Sequence, residues 1–275
     1  MWDEIQHSRS GCSYRELGEG APIVLLHGIP GSGSVWQVTA ESLSSELRVI
    51  VPDLLGFAGS SRPTELYALH AQAQSAALAD LLGELGVEDA VVVGHDFGGP
   101  VALALTSLRP SLVRAVGLLA TNTFPDTPIP FPLAMVTWPV IGRFARQVLF
   151  SPASVRMMLR RGVGPGATSP DPGSHLGDAE QQQVIATIFV GSLTRLEEFY
   201  APTEHQLNSL RVPVYVGWGD RDPFFSIDQG ERTARAADAA YRRYPGAGHF
   251  LPHERPHEVA ADIMELVTAA SGKRL

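Results

Sequence analysis

Short apolar runs rich in Val, Ile and Leu alternate with longer amphipathic stretches, which predicts an α/β fold with a mostly parallel central sheet flanked by helices. Two further features agree with this. The runs lack strict alternation, as expected of strands buried on both faces. Hydrophobic residues make up 44% of the 275, enough to build a sizeable core. The clearest strands fall at 22–26, 48–51, 90–93, 113–119 and 212–218, with helical patterns at 35–47, 68–85, 97–108, 228–237 and 256–270. The opening residues, up to Leu17, read as an antiparallel edge.

The alternation stops between Thr123 and Leu210. This stretch opens with Phe124-Pro125-Asp126-Thr127-Pro128-Ile129-Pro130-Phe131-Pro132 and continues through helical patterns rich in Phe, Met, Leu and Trp. It also contains a Gly/Pro/Ser-rich segment, 162–177, expected to be a mobile loop. We therefore expect a core formed by residues 1–122 and 211–275, with a helical cap inserted at 123–210. The most apolar long stretch, 131–150, contains Arg143, Arg146 and two prolines, so it reads as lid helices and not as a membrane span.

Composition narrows the function. A formal net charge of −8 with dispersed acidic residues argues against a nucleic-acid or anionic-membrane partner. Lys273 is the only lysine, which excludes a core Schiff-base lysine and a GxxxxGK[ST] phosphate loop. Cys12 is the only cysteine, so no intrachain disulfide forms, and the residue reads as an inert packing group. The first residues are acidic with no apolar run behind them, so no signal peptide is expected and the protein is placed in the cytoplasm. No cofactor or metal site is indicated. The expected partners are a small apolar organic substrate and water, and a homodimer is compatible with the chain.

The strongest chemical signal is Val91-Val92-Val93-Gly94-His95-Asp96-Phe97-Gly98-Gly99, a buried strand entering a small-x-Asp-x-small turn that opens a helix. So sharp a turn leaves no room for side chains at Gly94 and Gly98 and presents the central residue at its tip. The helix N-terminus behind it favours an ionised Asp96. Two later segments complete a constellation. Tyr215-Val216-Gly217-Trp218-Gly219-Asp220-Arg221-Asp222-Pro223 ends a strand with two carboxylates, and Gly246-Ala247-Gly248-His249-Phe250 follows the last strand. Nucleophile, acid and histidine thus occur in sequence order at the C-terminal ends of strands.

On these motifs the sequence resembles the α/β-hydrolase fold superfamily over essentially its whole length. Leu25-Leu26-His27-Gly28-Ile29-Pro30-Gly31 matches the HGxP motif of the epoxide hydrolase and haloalkane dehalogenase branch. The resemblance implies Asp96 as nucleophile, Asp222 rather than Asp220 as the acid that orients His249, and the amides of Ile29 and Phe97 as oxyanion hole. It implies structural roles for His27 and His95. His253 and His257 read as solvated surface residues.

A carboxylate nucleophile gives little advantage in acyl transfer, because attack on an ester would form a high-energy anhydride. Attack on an sp3 carbon gives an ordinary alkyl ester, which water activated by His249 can then hydrolyse. Strained epoxides and alkyl halides suit this chemistry. Halide release needs N–H donors, yet Phe97 and Ile29 stand where donors would be useful; Trp138 and Asn122 remain candidates. Epoxide opening needs an acid, typically two cap tyrosines. Tyr200, in Glu197-Glu198-Phe199-Tyr200-Ala201, resembles the second of them, and His175 could replace the first. Trp138, Phe97 and His175 are expected to line the substrate pocket. The first expectation is an epoxide hydrolase producing a vicinal diol, with a haloalkane dehalogenase as the alternative. A non-catalytic ligand-binding protein of this fold is a third reading.

Overall fold

The computed structural model describes residues 2–129, 131–171 and 178–272. Its single eight-stranded sheet is built from β1 (Gln6–His7), β2 (Ser13–Leu17), β3 (Ala21–Leu26), β4 (Leu47–Pro52), β5 (Ala90–His95), β6 (Val113–Leu119), β7 (Val214–Gly219) and β8 (Ala240–Tyr244). The order is β1-β2-β4-β3-β5-β6-β7-β8. β1 and β2 form the expected antiparallel edge, and all pairings from β4 to β8 are parallel.

The central strands read as continuous apolar runs because successive side chains enter two different cores. Val24, Leu26 and Val92 join one face, packed with Leu78, Leu81 and Leu82 of α3 (Ala71–Glu84) and Val101 and Leu105 of α4 (Gly98–Leu108). Ile23, Leu25, Val91 and Val93 join the other, packed with Leu43 of α1 (Gln37–Leu43) and Ile263 and Leu266 of α12 (Pro256–Gly272). β7 leads into α10 (Ile227–Ala236), and β8 into the short α11 (Leu251–Glu254) and α12.

Two helices differ from expectation. The pattern at 68–85 is split into α2 (Leu66–Leu69) and α3, because His70 is extended and caps α3 by accepting the Gln72 amide at its Nδ1. The pattern at 35–47 yields a 3-10 turn and α1, and ends earlier because Leu47 already belongs to β4.

Between β6 and β7 the described residues hold only helices: α5 (Phe131–Ala134), a 3-10 turn, α6 (Gly142–Leu149), α7 (Pro152–Gly162), α8 (Ala179–Thr194) and α9 (Leu196–Ser209). The start of the stretch expected as a mobile loop is anchored to the loop that carries His249. The Gly162 carbonyl accepts the His249 amide at 2.7 Å, and the Gly164 amide donates to Glu254 Oε2 at 2.7 Å. Among the described residues no helix is long and apolar enough to cross a membrane.

Candidate active site

Asp96 sits between β5 and α4 with φ of +52°, in the left-handed region that a non-glycine residue adopts only under constraint. The constraint is visible. Its amide donates to the Leu119 carbonyl at 3.0 Å, and its carbonyl accepts from the Thr121 hydroxyl at 2.5 Å and the Gly99 amide at 3.1 Å. The glycines around it are steric requirements. A Cβ on Gly94 would lie 2.2 Å from the Gly98 carbonyl oxygen, and one on Gly28 would lie 2.3 Å from the Asp96 Cβ.

The carboxylate is held from two sides. The Ile29 amide donates to Oδ1 at 2.7 Å, and His249 Nε2 stands 3.5 Å from Oδ2. The Phe97 amide follows Asp96 at the head of α4. On its far side the His249 ring donates from Nδ1 to Asp222 Oδ2 at 2.9 Å. Asp222 is oriented for this by the amides of Phe224 and Phe225, which occupy its Oδ1 at 2.8 and 3.1 Å. Asp220 points elsewhere, accepting the Gly246 amide at 2.7 Å.

Burial works against charge on both partners, and each is nevertheless stabilised in its ionic form by the other. For His249, burial is outweighed by Asp222 and Asp96, which push its pKa up to about 10. For Asp96, burial is outweighed by the hydrogen bond and charge of His249, with help from the Ile29 amide, so its carboxyl lies below the ordinary value. The resting pair is carboxylate and imidazolium.

The other histidines have different environments. His27 is fully buried; its Nδ1 donates to the Gly28 carbonyl at 2.8 Å and its Nε2 accepts the Leu54 amide at 3.0 Å. His95 donates from Nε2 to the His249 carbonyl at 2.9 Å, and burial, reinforced by the His249 charge, lowers its pKa to about 4. Neutral His95 therefore braces the backbone of His249. His253 is tied to the Thr168 carbonyl at 3.0 Å, and His257 to the Ser42 hydroxyl at 3.2 Å.

Above Asp96 lies a cavity of about 120 Å³ between the sheet and the inserted helices. Most of its wall is apolar, including Phe97, Phe189, Leu193, Phe224 and Phe225. Its polar groups are Asp96, His249, Tyr200, Asn122, Ser192 and Thr127. Tyr200, on α9, thus shares the cavity with Asp96 across more than a hundred residues of chain. Burial and the Asp96 charge push its phenol up to about 12, against the opposing pull of Asn122 and Ser192. Asn122 is oriented by its Oδ1, which accepts the Phe124 amide at 3.2 Å and the Thr127 hydroxyl at 2.5 Å. That leaves its Nδ2 hydrogens for the cavity.

Trp138, expected in the pocket, is not among the residues lining it. It is 46% exposed, edge-on to the still more outward Phe131, because it follows the 3-10 turn on the outer side of the insertion. His175 lies outside the described residues. One supporting residue escaped the sequence reading: the Glu254 carboxylate collects the amides of Gly164 at 2.7 Å, Gly248 at 2.9 Å and Phe250 at 3.1 Å, fixing the loop that carries His249. Its only sequence signal is its spacing four residues after Phe250 at a helix start.

A sharp strand-turn-helix carrying an acidic residue, with histidine and a second carboxylate following later strands, is the arrangement of one enzyme class. The family model of the alpha/beta hydrolase fold matches residues 21–256, and the chain belongs to that family of enzymes. It is similar to epoxide hydrolase A of Mycobacterium tuberculosis, at 28% identity over 92% of both chains. It is also similar to haloalkane dehalogenase 2 of the same organism, at 26% identity over 94% of this chain and 92% of the relative. Among solved structures, epoxide hydrolase CorEH shares the fold with a TM-score of 0.78 at 21% identity, over 96% of this chain and 99% of that one.

Proposed function

We propose that the protein is an epoxide hydrolase in which Asp96 is the nucleophile, the helices at 123–210 act as its cap, and the product is a vicinal diol. The observation that carries this reading is the placement of Tyr200 and Asp96 on one mostly apolar cavity. Asp96 Oδ2 attacks an epoxide carbon, forming an ester while the C–O bond breaks. Tyr200 donates its proton to the departing oxygen, in a contact that strengthens as charge builds there. The proton on His249 restores Tyr200.

Esterification removes the negative charge of Asp96, one of the influences that hold His249 protonated. The neutral ring, kept in orientation by Asp222, then takes a proton from water as that water attacks the ester carbonyl. The oxyanion forms on the oxygen that already faces the Ile29 amide, and the Phe97 amide is the second donor of the proposed oxyanion hole. On collapse the proton of the added hydroxyl passes to the departing alkoxide, which releases the diol and leaves Asp96 as carboxylate and His249 as imidazolium, with one water consumed. Single turnover of a styrene-type epoxide in 18O-water tests this: label should enter Asp96, and label found only in the first product molecule would refute an ester intermediate.

One observation favours a second reading, haloalkane dehalogenation: the Asn122 amide reaches the same cavity and could hold a halide. Apart from His249, it is the only described cavity side chain with N–H donors, since the side chains of Ile29 and Phe97 have none. Halide release is better served by two such donors, so the epoxide reading is preferred. Measuring diol and bromide release side by side separates the two.

A further inference from the structure

Net charge conceals a segregation. From residue 127 to 170 the sequence carries Arg143, Arg146, Arg156, Arg160 and Arg161 and no Asp, Glu or Lys. That stretch is basic within a chain of net charge −8, so the remainder is more acidic than the total suggests. Arg146, Arg156, Arg160 and Arg161 are exposed and have no carboxylate partner among the described residues.

Exposed apolar side chains gather in the same stretch. Phe131 is 69% exposed, Val140 92% and Phe144 71%, and Trp138, Ile141 and Val148 are exposed as well. Ile141, Phe144 and Val148 are spaced to form one stripe along α6, while Ala145 turns inward. On α7, exposed Met157 sits beside Arg156, Arg160 and Arg161, while Val155 and Leu159 are buried. α5 and α7 also reach the cavity, through Leu133 and Met158.

Scattered exposed apolar residues are ordinary, but a concentration of them within one short basic stretch marks a contact surface. A second copy docked through this patch by two-fold symmetry would set one basic patch against another. An anionic lipid surface complements both features: aromatic and aliphatic side chains enter the headgroup boundary while guanidinium groups meet the lipid phosphates. The acidic remainder of the protein would be repelled by that surface, which orients the molecule with its insertion down. We propose that the face formed by α5, α6 and α7 docks reversibly on anionic bilayers. This departs from the expectation, drawn from net charge, that no anionic membrane is a partner. It concerns attachment to the surface, not spanning, and does not depend on which reaction the site performs.

The four tryptophans make the test direct, because Trp2, Trp36 and Trp218 are buried and Trp138 is exposed. The full chain is mixed with vesicles of phosphatidylcholine alone or with phosphatidylglycerol added, followed by sedimentation and tryptophan emission. Binding should occur on the phosphatidylglycerol vesicles with a blue shift and protection of Trp138 from acrylamide. It should weaken as salt rises from about 0.01 M to 0.15 M, where the screening length falls from roughly 30 Å to about 8 Å. R156Q/R160Q/R161Q should reduce partitioning by about a hundredfold. F144S/V148S should reduce it and remove the blue shift, and R243Q, outside this face, should leave it unchanged. Wild-type protein that ignores phosphatidylglycerol vesicles, or binds neutral ones equally, would overturn the proposal. So would arginine variants that bind like wild type, or an F144S/V148S variant that only converts a dimer to a monomer. Acrylamide protection of wild-type Trp138 is independent of whether any variant folds.

Discussion

His249 Nε2 stands 3.5 Å from Asp96 Oδ2, while its Nδ1 is held at 2.9 Å by Asp222. One imidazolium therefore serves two carboxylates, and the two are not equivalent: Asp222 also accepts two backbone amides, whereas Asp96 opens onto the cavity. If Asp96 is the group that becomes alkylated, the reaction itself changes the charge around His249.

Replacing Asp96 by Asn should abolish turnover while leaving the fold intact, because the Asn side-chain oxygen can still accept the Ile29 amide. Steady-state diol release and a thermal midpoint close to wild type check the two halves of this expectation. Retained activity without deamidation would exclude Asp96 as nucleophile.

His249→Gln should form the ester and fail to hydrolyse it, so intact-mass analysis should show an adduct that maps to Asp96. Loss of a general base typically slows the step about 10²–10⁴-fold, enough for the adduct to accumulate. Asp222→Asn should trap more weakly. Asp220→Asn should be nearly silent, since an amide oxygen can still accept from Gly246. The opposite ranking of the two carboxylates would reassign the orienting acid.

Tyr200→Phe keeps the ring that helps line the cavity and removes only its hydroxyl. Epoxide alkylation should slow by about 10–10³-fold in pre-steady-state kinetics, while any bromoalkane turnover should be less affected, because halide leaves without a proton. Unchanged epoxide opening would remove Tyr200 from the reaction.

The pH profile follows from the sign of the His249 shift. Its pKa is raised from 6.5 to about 10 in the folded protein, so its pairing contributes fully below 6.5 and is lost as pH rises through about 10. The thermal midpoint should decline over that upper window, and less so in His249→Gln. kcat for an epoxide should stay level through neutral pH and fall near pH 10, when the imidazolium proposed to restore Tyr200 is lost. A fall centred near 6.5 would mean that the ion pair does not form.

Gly94→Ala should destabilise the protein by at least about 1–3 kcal/mol, the usual range for an overpacked core. The added Cβ would meet the backbone carbonyl of Gly98, which cannot swing aside as a side chain can. Chemical denaturation measures this. A variant as stable as wild type would mean that the elbow opens easily.

What the sequence determined by itself was local. Strand positions and the antiparallel edge were visible because apolar runs record burial, and the elbow was visible because Gly94 and Gly98 record where no side chain fits. The same reading selected Asp222 over Asp220, from motif position within the family resemblance, and the geometry sets Asp222 against His249. The tertiary structure alone decided which distant groups meet. Ile29 and Asp96 are 67 residues apart yet joined by one hydrogen bond, and the Glu254 carboxylate spans 90 residues to reach the Gly164 amide. It also turned Trp138 outward and Tyr200 inward. The physical reason is that periodicity along a chain encodes how deeply a residue is buried, whereas the direction a side chain faces is fixed only when whole helices pack against one another.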